Sequence, residues 1–120
     1  GLRKFNRTIF NPIIKLFAGR FLYALVYHIG RHSGKEYATP VVATHKDEFV
    51  FIPLPYGANT DWFLNVQAKG KCDIKIRGKL YSSINPEIVD STIALAAFPS
   101  ILQGAFERAN INQYLRLRKN

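Results

Sequence analysis

The stretch HIGRHSGKEYATP, His28 to Pro40, decides how this chain is read. A mostly apolar run, FLYALVYHI (21–29), ends in it, and a second strand-like run, PVVATH (40–45), leaves from it. Two consecutive strands can be joined by as little as Asn-Gly. Here the connection is longer, punctuated by Gly30 and Gly34, and carries Arg31, Ser33 and Lys35. The strands on either side set the fold class. The loop between them poses the functional question.

Outward from that loop the same alternation of apolar and polar residues continues. Residues 21–29 are rich in aromatic and β-branched side chains and predict a buried strand. TPVVATHK (39–46) and EFVFIPLP (48–55) predict an antiparallel pair around a turn at Lys46-Asp47-Glu48. Pro40 belongs at a strand start or an edge, because it cannot donate to the ladder. YGANTD is loop and N-cap chemistry, and WFLNVQAK (62–69) predicts a short helix ending at Lys69-Gly70. CDIKI (72–76) alternates, Arg77-Gly78 fits a turn, and KLYSSI (79–84) predicts the returning strand. Asn85-Pro86-Glu87 carries a cap, a proline and a first-turn acid, so a helix is expected through VDSTIALAAF (89–98), broken at Pro99. A second short helix and a last strand over 111–119 complete the count.

Strand connections of this kind are hairpins, not βαβ units. They imply an α+β, antiparallel split β-barrel of five or six strands with flanking helices. Its 120 residues favour one domain. Within it, residues 1–19 place Leu2, Phe5, Ile9, Ile13, Leu16 and Phe17 at helical spacing, interrupted at Asn11-Pro12. Residues 20–118 form the barrel.

Composition bounds the function. One cysteine, Cys72, excludes an internal disulfide and Cys-rich metal sites, and favours a reducing, cytoplasmic location. No apolar run approaches the roughly 20 residues of a spanning helix. The charge is +9, from 17 basic and 8 acidic residues. Residues 1–46 hold Arg3, Lys4, Arg7, Lys15, Arg20, Arg31, Lys35 and Lys46 against the single acid Glu36. Such a field favours an anionic partner: a phosphorylated cofactor, nucleic acid or anionic lipid.

Arg31, His32, Ser33, Gly34 and Lys35 offer what phosphate binding needs: a guanidinium fork, a hydroxyl, and glycines that expose main-chain N–H groups. The same loop also reads as a solvated hairpin connection. In PLPYGANTDWFLN (53–65), Trp62 and Asn65 are three apart on a helix and share a face, so an indole and an amide can bracket a flat ring. Trp62 reads equally as a core anchor. His28, His32 and His45 are scattered and lack a ligand partner at metal spacing, and no GxSxG elbow is present.

The two candidate sites in this order, GRHSGKEYATPV and PYGANTDWFLNV, followed by GKCDIKIRGKLY and NQYLRLR, resemble the deazaflavin-dependent nitroreductase family over roughly residues 15–118. The resemblance implies a split β-barrel related to the flavin mononucleotide (FMN)-binding split barrels. It implies reduced coenzyme F-420, an 8-hydroxy-5-deazaflavin, bound in a groove and giving hydride to a quinone, nitro compound or similar acceptor. Arg31, His32, Ser33 and Gly34 would hold the phosphate and acidic tail. Tyr37, Thr39 and Pro40 would line the groove. Pro55, Tyr56, Gly57, Trp62 and Asn65 would meet the ring. His32 stands where relatives often carry Lys, and the PYGANTD loop is shorter than theirs.

The alternatives are an FMN-binding split barrel, a cofactor carrier without turnover, and a non-catalytic basic module for RNA or an anionic membrane. The absence of an RNP-type motif weighs against nucleic acid. The basic amphipathic N-terminus suits peripheral contact with the inner face of a membrane. Split barrels often pair, so a homodimer is expected.

Overall fold

The computed structural model describes residues 4–5 and 23–120. The chain forms β1 (Lys4–Phe5), β2 (Tyr23–Ile29), β3 (Glu36–Val42), β4 (Thr44–Lys46), β5 (Phe49–Pro53), α1 (Asp61–Lys69), β6 (Lys71–Ile76) and β7 (Lys79–Asp90). It continues with α2 (Ser91–Ala94), a 3₁₀ turn (Leu95–Ala97), α3 (Ser100–Arg108) and β8 (Gln113–Lys119). The helix expected over residues 1–19 lies outside the described residues except at Lys4–Phe5. Those two residues are strand instead, parallel to Tyr37 and Ala38 of β3, whose edge supplies their hydrogen bonds.

The strands follow the order β1-β3-β2-β6-β7-β8-β5-β4. All neighbours other than β1 and β3 are antiparallel. Only Ala43 separates β3 from β4, yet the two stand at opposite ends of that order. The single segment 36–46 therefore pairs with β2 on one flank and with β5 on the other, and the sheet curls into a split-barrel-like α+β fold. The eight strands among the described residues exceed the expected five or six because this segment is divided at Ala43 and β1 is added. Pro40 lies inside β3, beyond the two residues that β1 flanks, where a missing N–H costs no ladder bond on that side.

Alternation fills the interior. β2 turns Ala24, Val26 and His28 inward, and β6 turns Cys72, Ile74 and Ile76 inward, as the period of two requires. Apart from His28, these residues join Val41, Ile52, Phe63, Val66, Leu115 and Leu117 in the barrel core. A second cluster lies under α2 and α3, where Phe98 and Phe106 meet edge to face at 5.1 Å, beside Leu102 and Tyr114. Burying each such side chain is worth about 2–3 kcal/mol.

The expected helix start at Asn85-Pro86-Glu87 is corrected. β7 runs straight through it to Asp90. The pairing with β8 shifts register between Ile84 and Glu87, and Asn85 takes φ 55 there. Asn and Pro suit such a bulge as well as they suit a helix cap. The helical segment begins later, at Ser91, where the Asp90 carboxylate accepts from the Thr92 amide at 3.1 Å. The predicted helix over 62–69 is present as α1, closed by Gly70 at φ 77, whose N–H donates to Val66.

Candidate functional site

The inward row of β2 ends on a histidine where an apolar residue would be expected. His28 is only 2% exposed. Its Nε2 lies 2.8 Å from Thr39 Oγ1 on β3, and its Nδ1 lies 3.1 Å from Asn65 Nδ2 on α1. Asn65 Oδ1 in turn accepts two bonds from Arg31: the main-chain N–H at 3.0 Å and Nη1 at 2.8 Å. Those two donors fix the orientation of the amide, so its NH2 faces His28. His28 Nδ1 must then accept, and Nε2 must carry the proton it donates to Thr39. Burial holds the imidazole neutral and lowers its pKa from 6.5 to about 4, against a small opposing pull from Asp61.

Arg31 is held from a second direction. Its Nη2 lies 3.2 Å from Asp61 Oδ1, and Nη1 is 3.4 Å from the Asp61 carbonyl oxygen. The first turn of α1 thus clamps a guanidinium delivered by the β2–β3 loop, which joins the two stretches read from the sequence. Asp61 is largely exposed, so this ion pair contributes geometry more than energy.

The loop is folded on itself. Gly30 N–H donates to Lys35 O at 2.8 Å, Gly34 N–H to Gly30 O at 2.9 Å, and Lys35 N–H to Ser33 Oγ at 3.2 Å. A Cβ on Gly30 would stand 2.5 Å from Ser33 Oγ and 2.9 Å from Tyr37 Cε2, so a larger residue there would have to displace both side chains. Gly34 takes φ 70. The N–H groups of Arg31, Gly34 and Lys35 are therefore engaged within the protein. What the loop presents outward is side-chain cations, not a row of amides. Tyr37 stacks on His28 with centroids 5.6 Å apart, and its hydroxyl lies 3.4 Å from Ser33 Oγ.

Five of the sequence candidates, Arg31, Ser33, Tyr37, Thr39 and Asn65, thus converge around His28. His32 and Gly34 are exposed in the same loop, and Pro40 is buried in β3. Pro55, Tyr56 and Gly57 follow β5; Tyr56 is exposed, and Gly57 takes φ 78 while its N–H donates to Leu54 O. Trp62 does not match the ring contact expected of it. It is 2% exposed and edge-on to Phe63, inside the barrel core. Asn65 is also spoken for, since both ends of its amide are bonded.

A concavity of about 300 Å³ opens beside this network, lined by Gly30, Arg31, Gly34, Asn65 and Lys69. A second, of about 210 Å³, adjoins it along Lys69 and reaches His28, Lys71 and Cys72. The first holds two cations and no carboxylate on its walls, a donor set that fits a phosphate or carboxylate group. The Cys72 thiol is pushed up to about 12 by burial and is inert as a nucleophile. Among the described residues no three His, Cys, Asp or Glu side chains converge as metal ligands. No described helix is long and apolar enough to cross a membrane.

Sequence reasoning missed His28, Asp61 and Lys69. For His28 a signal existed: it sits in step with Ala24 and Val26 on the inward face, where a polar side chain must find partners. Asp61 and Lys69 are ordinary helix-end residues until the fold brings Arg31 to them.

No protein-family model matches this chain, and no curated protein matches it. Solved structures do. A domain-swapped dimer is 13% identical with a TM-score of 0.56, covering 81% of this chain and 80% of its own. An F-420-H2-dependent reductase (FDR-A) is 14% identical with a TM-score of 0.53, covering 81% of this chain and 94% of its own. An FAD-binding protein from Mesorhizobium loti is 9% identical with a TM-score of 0.56, covering 92% and 91%. The likeness is one of fold.

Proposed function

We propose that this protein is a deazaflavin-dependent reductase, binding reduced coenzyme F-420 and passing hydride to a quinone, nitro compound or similar acceptor. The observation that carries the reading is the clamped guanidinium: Arg31, fixed by Asn65 and Asp61, stands at the mouth of an acid-free concavity with Lys69. A solved reductase of the same fold that is described as F-420-H2-dependent supports it.

When bound, the deazaflavin supplies the hydride. The chain's own residues bind and orient. Arg31 and Lys69 engage the anionic portion, Lys35 extends the cationic rim along the loop, and His32 offers an exposed imidazole beside it. Neutral His28 holds Asn65, which holds Arg31, so the guanidinium is presented in one geometry. Tyr56 and Gly57 are the accessible candidates for ring contact. Hydride chemistry needs position and electrostatics more than an acid–base pair. A pairing of two copies belongs to the same reading, because a solved structure of this fold is a domain-swapped dimer.

Fluorescence titration with F-420 tests the assignment. Arg31→Ala should weaken binding at least tenfold, about 1.4 kcal/mol. Equal affinity of wild type and variant would remove the phosphate role. FMN is the second reading, favoured by the FAD-binding neighbour. Parallel titration of the two cofactors ranks them, with the tighter one identifying the resident.

A further inference from the structure

The barrel end away from Arg31 carries another cationic centre. β2 pairs Tyr27 with Asp73 and Ala24 with Ile76, so Arg31, beyond Ile29, and Arg77, beyond Ile76, leave opposite ends of the ladder. β3 runs from Ile29 toward Tyr23, so β4 and His45 lie at the Arg77 end as well.

There, His45 of β4 is surrounded by positive charge. Its Nδ1 is 3.4 Å from Lys119 Nζ of β8, and its Nε2 is 3.1 Å from the Tyr81 hydroxyl of β7. Lys79 Nζ and Lys119 Nζ lie 5.3 and 5.5 Å from the centroid of the Tyr81 ring. Arg77, in the β6–β7 turn at φ 51, adds a third cation. After partial burial, the charges of Lys119, Lys79 and Arg77 all push the His45 pKa down.

Glu48 does not answer this charge. Glu48, in the β4–β5 turn with Asp47, places its carboxylate 3.5 Å from Arg118. The β6–β7 hairpin stretch KIRGKLY, residues 75–81, contains no acid. Beside the cluster lies a concavity of about 370 Å³, with Thr44, His45 and Arg77 on one side and Ala97, Phe98 and Pro99 on the other. Lys79, Lys119 and the His45 imidazole share one tyrosine ring, His45 and Arg77 line the hollow beside it, and an anion bound between them would offset the like charge.

We propose that this end of the barrel is a second anion site, taking the phosphate group of a small molecule between Arg77, Lys79, Lys119 and His45. Arg77 offers the planar fork, the two lysines offer point charges, and Tyr81 is the floor that keeps them in place. The site is independent of the Arg31 concavity and does not rest on the cofactor reading.

NMR titration of the His45 imidazole tests it, because that readout is specific to this end. Inorganic diphosphate should raise the His45 pKa in wild type and equally in Arg31→Ala. The rise should disappear in the Lys79→Gln/Lys119→Gln double variant, and Arg77→Gln should diminish it. Co-sedimentation with phosphatidic acid vesicles, lost in the double variant, would assign the phosphate to a lipid headgroup. Response to diphosphate without vesicle binding would assign it to a soluble ligand. A His45 pKa unmoved by saturating diphosphate, or moved equally in the double variant, overturns the site.

Discussion

The two ends of the barrel treat a cation in opposite ways. At the loop end, Arg31 has two partners on α1, and the one that matters most is a buried amide already ordered by His28. At the hairpin end, Lys79, Lys119 and Arg77 crowd around His45 with no carboxylate among them. The first arrangement fixes geometry before any ligand arrives, which lowers the ordering cost of binding. The second gathers like charge on a tyrosine ring and an imidazole, so an incoming negative charge would have more to gain there. The same residue types are thus fixed by an amide and a carboxylate in one place and by an aromatic ring and an imidazole in the other.

Substitutions should separate the two ends. The largest effect belongs to Asn65→Leu, which strands His28 Nδ1 and the Arg31 amide in a buried site. A loss of about 3 kcal/mol in urea denaturation is expected. A loss within the range of ordinary surface changes would mean that the network does not organise the loop end.

The next effect is one of pH. His28 has its folded pKa depressed from 6.5 to about 4, so the unfolded chain binds the extra proton between those values. The stabilisation is fully present above pH 6.5 and is lost as pH falls toward 4, amounting to about 3 kcal/mol. Denaturation of wild type and His28→Gln at pH 7 and pH 4.5 checks this. The gap between them should narrow in acid, and a constant gap would assign the acid sensitivity elsewhere.

The smallest effect is the most diagnostic of the contrast. Lys79→Gln at the hairpin end should leave stability unchanged or raise it by about 0.5 kcal/mol, since it removes a like charge. A clear loss of thermal stability would show that Lys79 is as firmly partnered as Arg31.

Much of the barrel is legible in the sequence because alternation is a local signal. β2, β5, β6 and β8 follow their apolar periods, and α1 follows its loop and its closing Gly70. Asn85-Pro86-Glu87 misleads because a helix cap and a β-bulge draw on the same residues, and only the pairing with β8, about thirty positions later, decides between them. The site was legible as two stretches but not as one object. Nothing local says that Asn65 will reach back 34 residues to the Arg31 amide, or that Trp62, three positions earlier, will be spent on the core. The Ser33 hydroxyl oxygen accepts from Lys35 within the loop, a role its residue type alone does not reveal.

β8 sits between β5 and β7, though it is the last of the described strands to be made. On a ribosome, every other strand is available while that slot is still vacant. Until residues 113–119 emerge, FVFIP at 49–53 and the long β7 present two unpaired edges to their surroundings, one of them strongly apolar. The nascent chain is most exposed to aggregation during this interval, and residues 113–119 are the ones that end it.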